Sequence, residues 1–422
     1  MTEMAMNTNI IDPVLIPSLN GPPYELFDQW RANDPIHWNP PNPDYESPMP
    51  EASLSQGFYV LTRYQDVFDV SRNQALFTSH DGSPVIWDFE PEALARQQAG
   101  MMGMKPEQHG AVKRLVVPYF GPKQLEPFYP EIDNVAAEIL DSVAAKGGCE
   151  FVFDVASRLP VYTFCKIMGI PDDLRETVFT LGNALADTEN PQNRGHEQSP
   201  AMLELFQVAQ NLAEEKRNNP DNSMFSQVVN GEVNGEKLDE MNLNMFFMTI
   251  SIAGHETTRN TAAHFIRLMQ EFPDQYSLLQ SDVDRYLPNA IEEVLRHSPP
   301  VINFRRTVTE DTELGSVSLK KGDKVYLSYP AANRDPEIFD DPHRFDITRG
   351  NANKHLSFGT GPHVCLGARL ARYQLAALLK QIITRIPDIH PVGEKEMLNS
   401  IWFNAILKMP VEFTPEGVGS GV

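Results

Sequence analysis

The chain is poor in cysteine and in positive charge, and it has no long apolar run. Only Cys149, Cys165 and Cys365 occur among 422 residues, too few and too odd in number for a disulfide-stapled scaffold. Cys149 follows Gly147-Gly148 and Cys165 sits in VYTFCKIMGI, so both read as small buried hydrophobes. Against 57 acidic residues there are 35 basic ones, a net charge of −22. That balance speaks against nucleic acid or an anionic membrane surface as the main partner. No apolar stretch approaches the roughly 20 residues that span a bilayer, so no membrane anchor is expected. The segment MTEMAMNTNIIDPVLIPSLNGPPYELF lacks the basic start and apolar centre of a signal peptide, and a cytoplasmic location is expected.

What is present suits a large folded protein. The length exceeds the roughly 250–300 residues at which single cores stop growing, and 41% of residues are hydrophobic. Residues 1–55, rich in Pro and Asn with a short helix at 24–30, read as an N-terminal extension and the start of a β lobe. GFYVLTRY alternates as a strand does, and QDVFDVSRN follows as a helix. Residues 80–105 look irregular and carry exposed-looking apolar side chains (Val85, Ile86, Trp87, Phe89, Met101, Met102), the mark of a binding loop or a disordered one.

From residue 107 to about 291 the pattern is helical, broken by DTENPQNRGHEQSP, which predicts a mobile helix–loop–helix near 180–205. The longest helix is expected from near Asp239 to just before Pro273; its centre, NMFFMTISIAG, is too apolar for a surface. A small β region at 304–329, a Pro/Asp-rich coil, a Gly-rich loop and a last helix at roughly 366–386 complete the chain. The expected class is mainly α with small β-sheets (α+β): a long central helix and a small β-rich lobe, one domain over 56–415, and a flexible tail at 416–422.

The most informative segment is Ser357-Phe358-Gly359-Thr360-Gly361-Pro362-His363-Val364-Cys365-Leu366-Gly367-Ala368. Gly359 and Gly361 permit positive φ and a tight fold. Cys365 then falls at a helix start, where free N–H groups and the helix dipole favour thiolate. Gly367 leaves room for a flat object, and Phe358 can shield the sulfur. A lone thiolate without a second Cys or His at zinc spacing does not suit structural zinc. A cysteine hydrolase is disfavoured, because His363 is too close in the chain to act as its base. An axial ligand to a haem iron suits the segment; on these residues alone a buried cysteine in an ordinary loop stays open.

The run F-G-T-G-P-H-V-C-L-G-A resembles the haem-binding signature of the cytochromes P450, the haem-thiolate monooxygenases. Three other places carry the same resemblance in the same order. Glu293-Val294-Leu295-Arg296 resembles the family's ExxR element, with Arg344 at the position that completes it. Ala253-Gly254-His255-Glu256-Thr257-Thr258 resembles the O₂-groove signature. It implies room for O₂ beside Ala253, with Glu256 as acid and Thr257 as alcohol of a proton relay. His109 and Lys113, then Arg306, then His363 match the family's propionate partners. Lys113 departs from the usual Arg, with Arg114 a neighbour able to share the role, and Arg305 competes with Arg306.

The resemblance implies the P450 fold, haem b as cofactor, O₂ as co-substrate and reducing equivalents ultimately from NAD(P)H. It also implies a separate ferredoxin-type redox partner docking on the Cys365 side, with Lys113, Arg114, Arg369 and Arg372 as docking cations. A monomer is expected. Substrate contacts are expected from 85–102, 180–205, 248–253, 301–304 and 402–405, with Asn303 and Asn404 as orienting groups. The substrate expected is a hydrophobic small molecule: terpenoid, steroid or lipid-like. Two other readings are a haem sensor or carrier, which needs no relay, and a peroxide-driven oxygenase, whose members usually lack the acid–alcohol pair.

Overall fold

One helix, Glu240–Glu271, organises the molecule. Its 32 residues extend about 48 Å at the α-helical rise. The Asp239 side chain caps it by accepting from Asn242 N–H (2.7 Å), and Pro273 opens the next helix where this one stops. From Ser251 onward most of its faces are buried, as expected of a helix that crosses an interior. The structure is a computed structural model, described over residues 9–11, 21–42, 52–186, 200–398 and 400–417.

The main sheet has five strands, ordered Ile36–Asn39, Phe58–Leu61, Lys324–Ser328, Asn303–Val308 and Phe77–Thr78. All neighbours pair antiparallel except Lys324–Ser328 with Phe58–Leu61. Strand alternation on Asn303–Val308 puts Phe304 and Arg306 on one face and Arg305 on the other. The largest core cluster joins the C-terminal half of the long helix to Tyr129–Val143, Val283–His297 and the final helix Ala368–Arg385. The fold is therefore α+β, mostly helical with small sheets. No helix among the described residues is long and apolar enough to cross a membrane.

Two expectations about organisation change, and a third is seen in its helices alone. Residues 80–105 are not an exposed irregular loop: Pro91–Ala99 is helical, Asp88–Phe89 pairs with Ala52–Ser53, and Val85, Ile86, Trp87 and Met101 are buried. The burial of Val85, Ile86 and Trp87 is tertiary, against the N-terminal helix and sheet edge, and that of Met101 lies in the core around the long helix; neither leaves a periodic trace in the sequence. Of the expected helix–loop–helix, helices Arg175–Ala186 and Pro200–Asn218 are seen; residues 187–199 lie outside the described residues. The tail does not loosen at 416, since Glu416 N–H donates to Ala144 O (2.8 Å) and its carboxylate pairs with Arg385. Residues 418–422 lie outside the described residues.

Candidate active site

The Gly-rich loop folds back on itself so that Cys365 N–H donates to Phe358 O at 2.8 Å. Gly359 and Gly361 take φ of +66° and +73°. A Cβ on Gly361 would stand 2.7 Å from Ser71 O, so that position excludes any other residue. Ser357 Oγ anchors the loop by donating to Leu295 O (2.6 Å). Arg372 lies 4.5 Å over the Phe358 ring and grips Glu292 with two nitrogens.

Protein encloses Cys365, yet its sulfur opens onto an internal cavity. Burial pushes the thiol up, and the Gly367 and Ala368 amides and Arg372 pull it down without reversing that. The helix start alone therefore does not make the thiolate the sequence suggested. A coordinated metal deprotonates a thiol outright.

The cavity holds about 1660 Å³ of space, its mouth included. Its floor is Phe358, Gly359, Cys365, Leu366 and Gly367; its roof is Ala253, Gly254, Thr257 and Thr258 of the long helix. A Cβ on Gly367 would sit 4.0 Å from the Cys365 sulfur, so the glycine keeps that floor flat.

Four basic side chains line one edge: His109, Lys113, Arg306 and His363. His109 and Lys113 share a face of helix Pro106–Val116 at i and i+4. Lys113 Nζ donates to Pro362 O (2.6 Å), whereas Arg114 is exposed. Arg306 is only 4% exposed, and among the described residues its one side-chain hydrogen bond is from Nη1 to Arg305 O (2.8 Å). Arg305 points the other way, to Trp87 O and Asp88.

The His109 and His363 rings stack at 4.2 Å. Burial, then the neighbouring cations, drive His109 down to about 4 and His363 to about 2. Ser79 Oγ spends its proton on Met102 O, so His363 Nε2 is the donor in its 3.2 Å contact with Ser79. Among the described residues no Asp or Glu lines the cavity. Buried cations without a counter-charge are costly, and they define an anion-accepting edge.

On the long helix, Thr257 faces the cavity and Glu256 does not. Thr257 Oγ1 donates to Ala253 O at 3.1 Å. Glu256 is fully buried away from the cavity, 2.5 Å from Arg259 Nη2 and 3.1 Å from His255 Nε2. Burial alone would raise its carboxyl, but Arg259, His255 and Asn260 more than offset that and hold it below the usual carboxylate range. The expected acid is thus a locked carboxylate, separated from the cavity by the helix itself. Adjacent residues on a helix point about 100° apart, so Thr257 faces the cavity while Glu256 turns into the protein.

The ExxR element also differs in its partner. Arg296 binds both oxygens of Glu293 at 2.7 Å, and the residue completing the group is Arg349, whose Nε lies 3.2 Å from Glu293 Oε1. Arg344, expected there, is exposed and gives only its carbonyl, to Arg296 and Arg349. The coil after Phe339 turns back, so proximity in the chain misled. Asn303 and Asn404 are spent on backbone carbonyls of Ile401 and Pro299, and residues 402–405 do not line the cavity. Pro84, Met101, Met102, Thr249, Ile250, Val301 and Phe304 do. Ser79, Tyr329 and Gln374, also at the cavity, carried no sequence signal.

The cytochrome P450 family model matches residues 186–386. A steroid C26-monooxygenase of Mycolicibacterium smegmatis is 33% identical over 403 residues, 94% of this chain and 92% of that one. This chain is a cytochrome P450. Linalool 8-monooxygenase of Pseudomonas putida is 28% identical over 93% of this P450 and 96% of its own length. A Mycobacterium marinum P450 solved with pseudoionone superposes with a TM-score of 0.85 at 34% identity, covering 92% of this chain and 94% of that one. The family is a haem- and O₂-using oxidoreductase, a monooxygenase, and the cavity fits haem: one sulfur on a flat floor, and unpaired cations where two carboxylates are needed.

Proposed function

We propose that this P450 inserts one O₂-derived oxygen atom into a C–H bond of a steroid, terpenoid or lipid-like molecule. The observation carrying this is the single cavity that joins the Cys365 sulfur and the Arg306 edge to an apolar chamber formed by Met101, Met102, Ile250, Val301 and Phe304. Such a lining takes up a hydrophobic molecule and leaves few polar groups to orient it. The names of the relatives, a steroid and a linalool oxygenase, support that class.

When bound, haem with a thiolate ligand supplies the O₂ activation. Cys365 holds the metal; Arg306, His109, Lys113 and His363 hold the propionates; Phe358 and Gly367 shape the sulfur's side. Thr257 keeps a hydroxyl in the cavity and moves protons at Oγ1. Glu256, locked behind the helix, acts as a positioning residue until Arg259 releases it. Electrons come from a separate ferredoxin and ultimately NAD(P)H. Of the expected docking cations, Arg114 and Arg369 are exposed, Lys113 faces the cavity and Arg372 is tied to Glu292.

The test is a panel of steroids, terpenoids and branched lipids scored for a haem spin-state shift, followed by turnover under isotopically labelled O₂. One labelled oxygen in the product supports the proposal; label-free product, or no shift across the panel, contradicts it. Thr257→Ala is expected to consume reducing equivalents without matching product, read as peroxide released per product formed. An unchanged ratio would remove Thr257 from the relay.

A further inference from the structure

One phenol on the cavity wall makes no bond with the rest of the protein. Tyr329 directly follows strand Lys324–Ser328, in which Val325 opposes Arg306 and Leu327 opposes Phe304. Its N–H donates to Ile302 O (3.1 Å), and its ring stands edge-on to Phe304 at 6.1 Å. Tyr329, Phe304 and Arg306 border the same cavity. A Cβ on Gly359 would lie 3.6 Å from the Tyr329 hydroxyl, so that oxygen rests against the Gly-rich loop.

Two observations point to an acceptor from outside the chain. Tyr329 is 3% exposed, and among the described residues no side chain or backbone group hydrogen-bonds its hydroxyl. The oxygen is not sealed among protein atoms, so it meets the cavity. Burial pushes the phenol up to about 12, with Arg306 pulling the other way; the hydroxyl keeps its proton at neutral pH and can donate it. The second observation is Arg306 itself, buried without a carboxylate and with Nη1 spent on Arg305 O. A carboxylate drawn to that charge presents lone pairs on both oxygens. A neutral O–H beside the cation adds a donor there without adding charge.

We propose that Tyr329 is a cofactor-binding residue whose O–H donates to the haem carboxylate that Arg306 neutralises. This rests on the reading that the Arg306 edge receives the haem carboxylates. An ionised acceptor makes such a bond about twice as strong as a neutral one, and without it the hydroxyl stays buried and unpaired.

The experiment uses the haem-loaded protein and Tyr329→Phe, which keeps the ring against Phe304 and removes one oxygen. Haem transfer to excess acceptor globin should be roughly three- to tenfold faster. The haem carboxylate bending band in the resonance Raman spectrum should shift, a change that altered packing alone would not produce. Because both residues hold one carboxylate, Tyr329→Phe combined with Arg306→Leu should fall short of the product of the two single effects by at least about twofold. Unchanged haem transfer, an unmoved carboxylate band, or effects that multiply fully would each overturn the assignment. Arg306→Leu alone tests the edge. If it too leaves rate and band unchanged, the reading of the edge fails; if only Tyr329→Phe does so, the role of Tyr329 fails.

Discussion

Two arginines in this molecule are buried to nearly the same degree and live in opposite surroundings. Arg296, with no exposed surface, is bound to both oxygens of Glu293 and to the carbonyls of Asn333, Pro342 and Arg344. Arg306 has one bond, to its neighbour's carbonyl, and no carboxylate within reach among the described residues. Burying a charge costs several kcal/mol unless it is paired and hydrogen-bonded. The first site is complete in the protein alone and holds the fold. The second is complete only with an anion from outside. The degree of satisfaction, more than burial, separates scaffold from binding edge.

The sharpest way to break this contrast is to unpair the satisfied site. Glu293→Gln leaves Arg296 buried without its counter-charge and is expected to cost about 3–5 kcal/mol, read as a fall in the denaturant midpoint and in the yield of folded protein. A variant as stable as the parent would place the brace elsewhere. Arg306→Leu, by contrast, should leave the fold intact by circular dichroism and speed haem loss to an acceptor globin roughly 10–100-fold, the equivalent of a charged hydrogen bond of about 1.5–3 kcal/mol. Unchanged haem loss would remove it from the anion edge.

A finer test separates the two candidates that complete the brace. Arg349→Ala should lower stability by about 1–3 kcal/mol, and Arg344→Ala, whose side chain is exposed, by less than about 0.5 kcal/mol; the reverse order would restore Arg344.

A modest effect is expected in pH. Burial, then Arg267, drives His264 down to about 3. Its ring accepts from Arg267 Nε and donates to Asn404 O. The unfolded chain binds a proton near 6.5 that the folded one does not take until about 3. Stability is therefore full above pH 6.5 and falls as pH drops through that window. About 1 kcal/mol should be lost between pH 7.5 and 5.5 from this group. His264→Gln should flatten the slope of the urea midpoint against pH; an unchanged slope would assign it to other groups.

Local spacing made part of this legible. Glu293 and Arg296 at i and i+3, and His109 and Lys113 at i and i+4, share helix faces wherever the helix goes. The glycines around Cys365 announce a tight loop, and strand alternation separates Arg306 from Arg305. What could not be read depends on how distant segments return. Arg349 reaches Glu293 only because an aperiodic coil doubles back. Val85, Ile86 and Trp87 find a core made by residues far away in the chain. Glu256 and Thr257 stand together in the motif, yet the helix turns them about 100° apart, and Arg259, three residues on, pairs with the acid.

The claim on which the rest depends is that the Cys365 sulfur is the metal's ligand. The absorption spectrum of the reduced, carbon monoxide-bound holoprotein tests it most directly when recorded beside that of Cys365→His. A Soret band at the thiolate position in the parent, moved to the position of an imidazole-ligated haem in the variant, is the predicted result. A parent spectrum already of the imidazole type, or a thiolate-type band that survives loss of Cys365, would contradict the account.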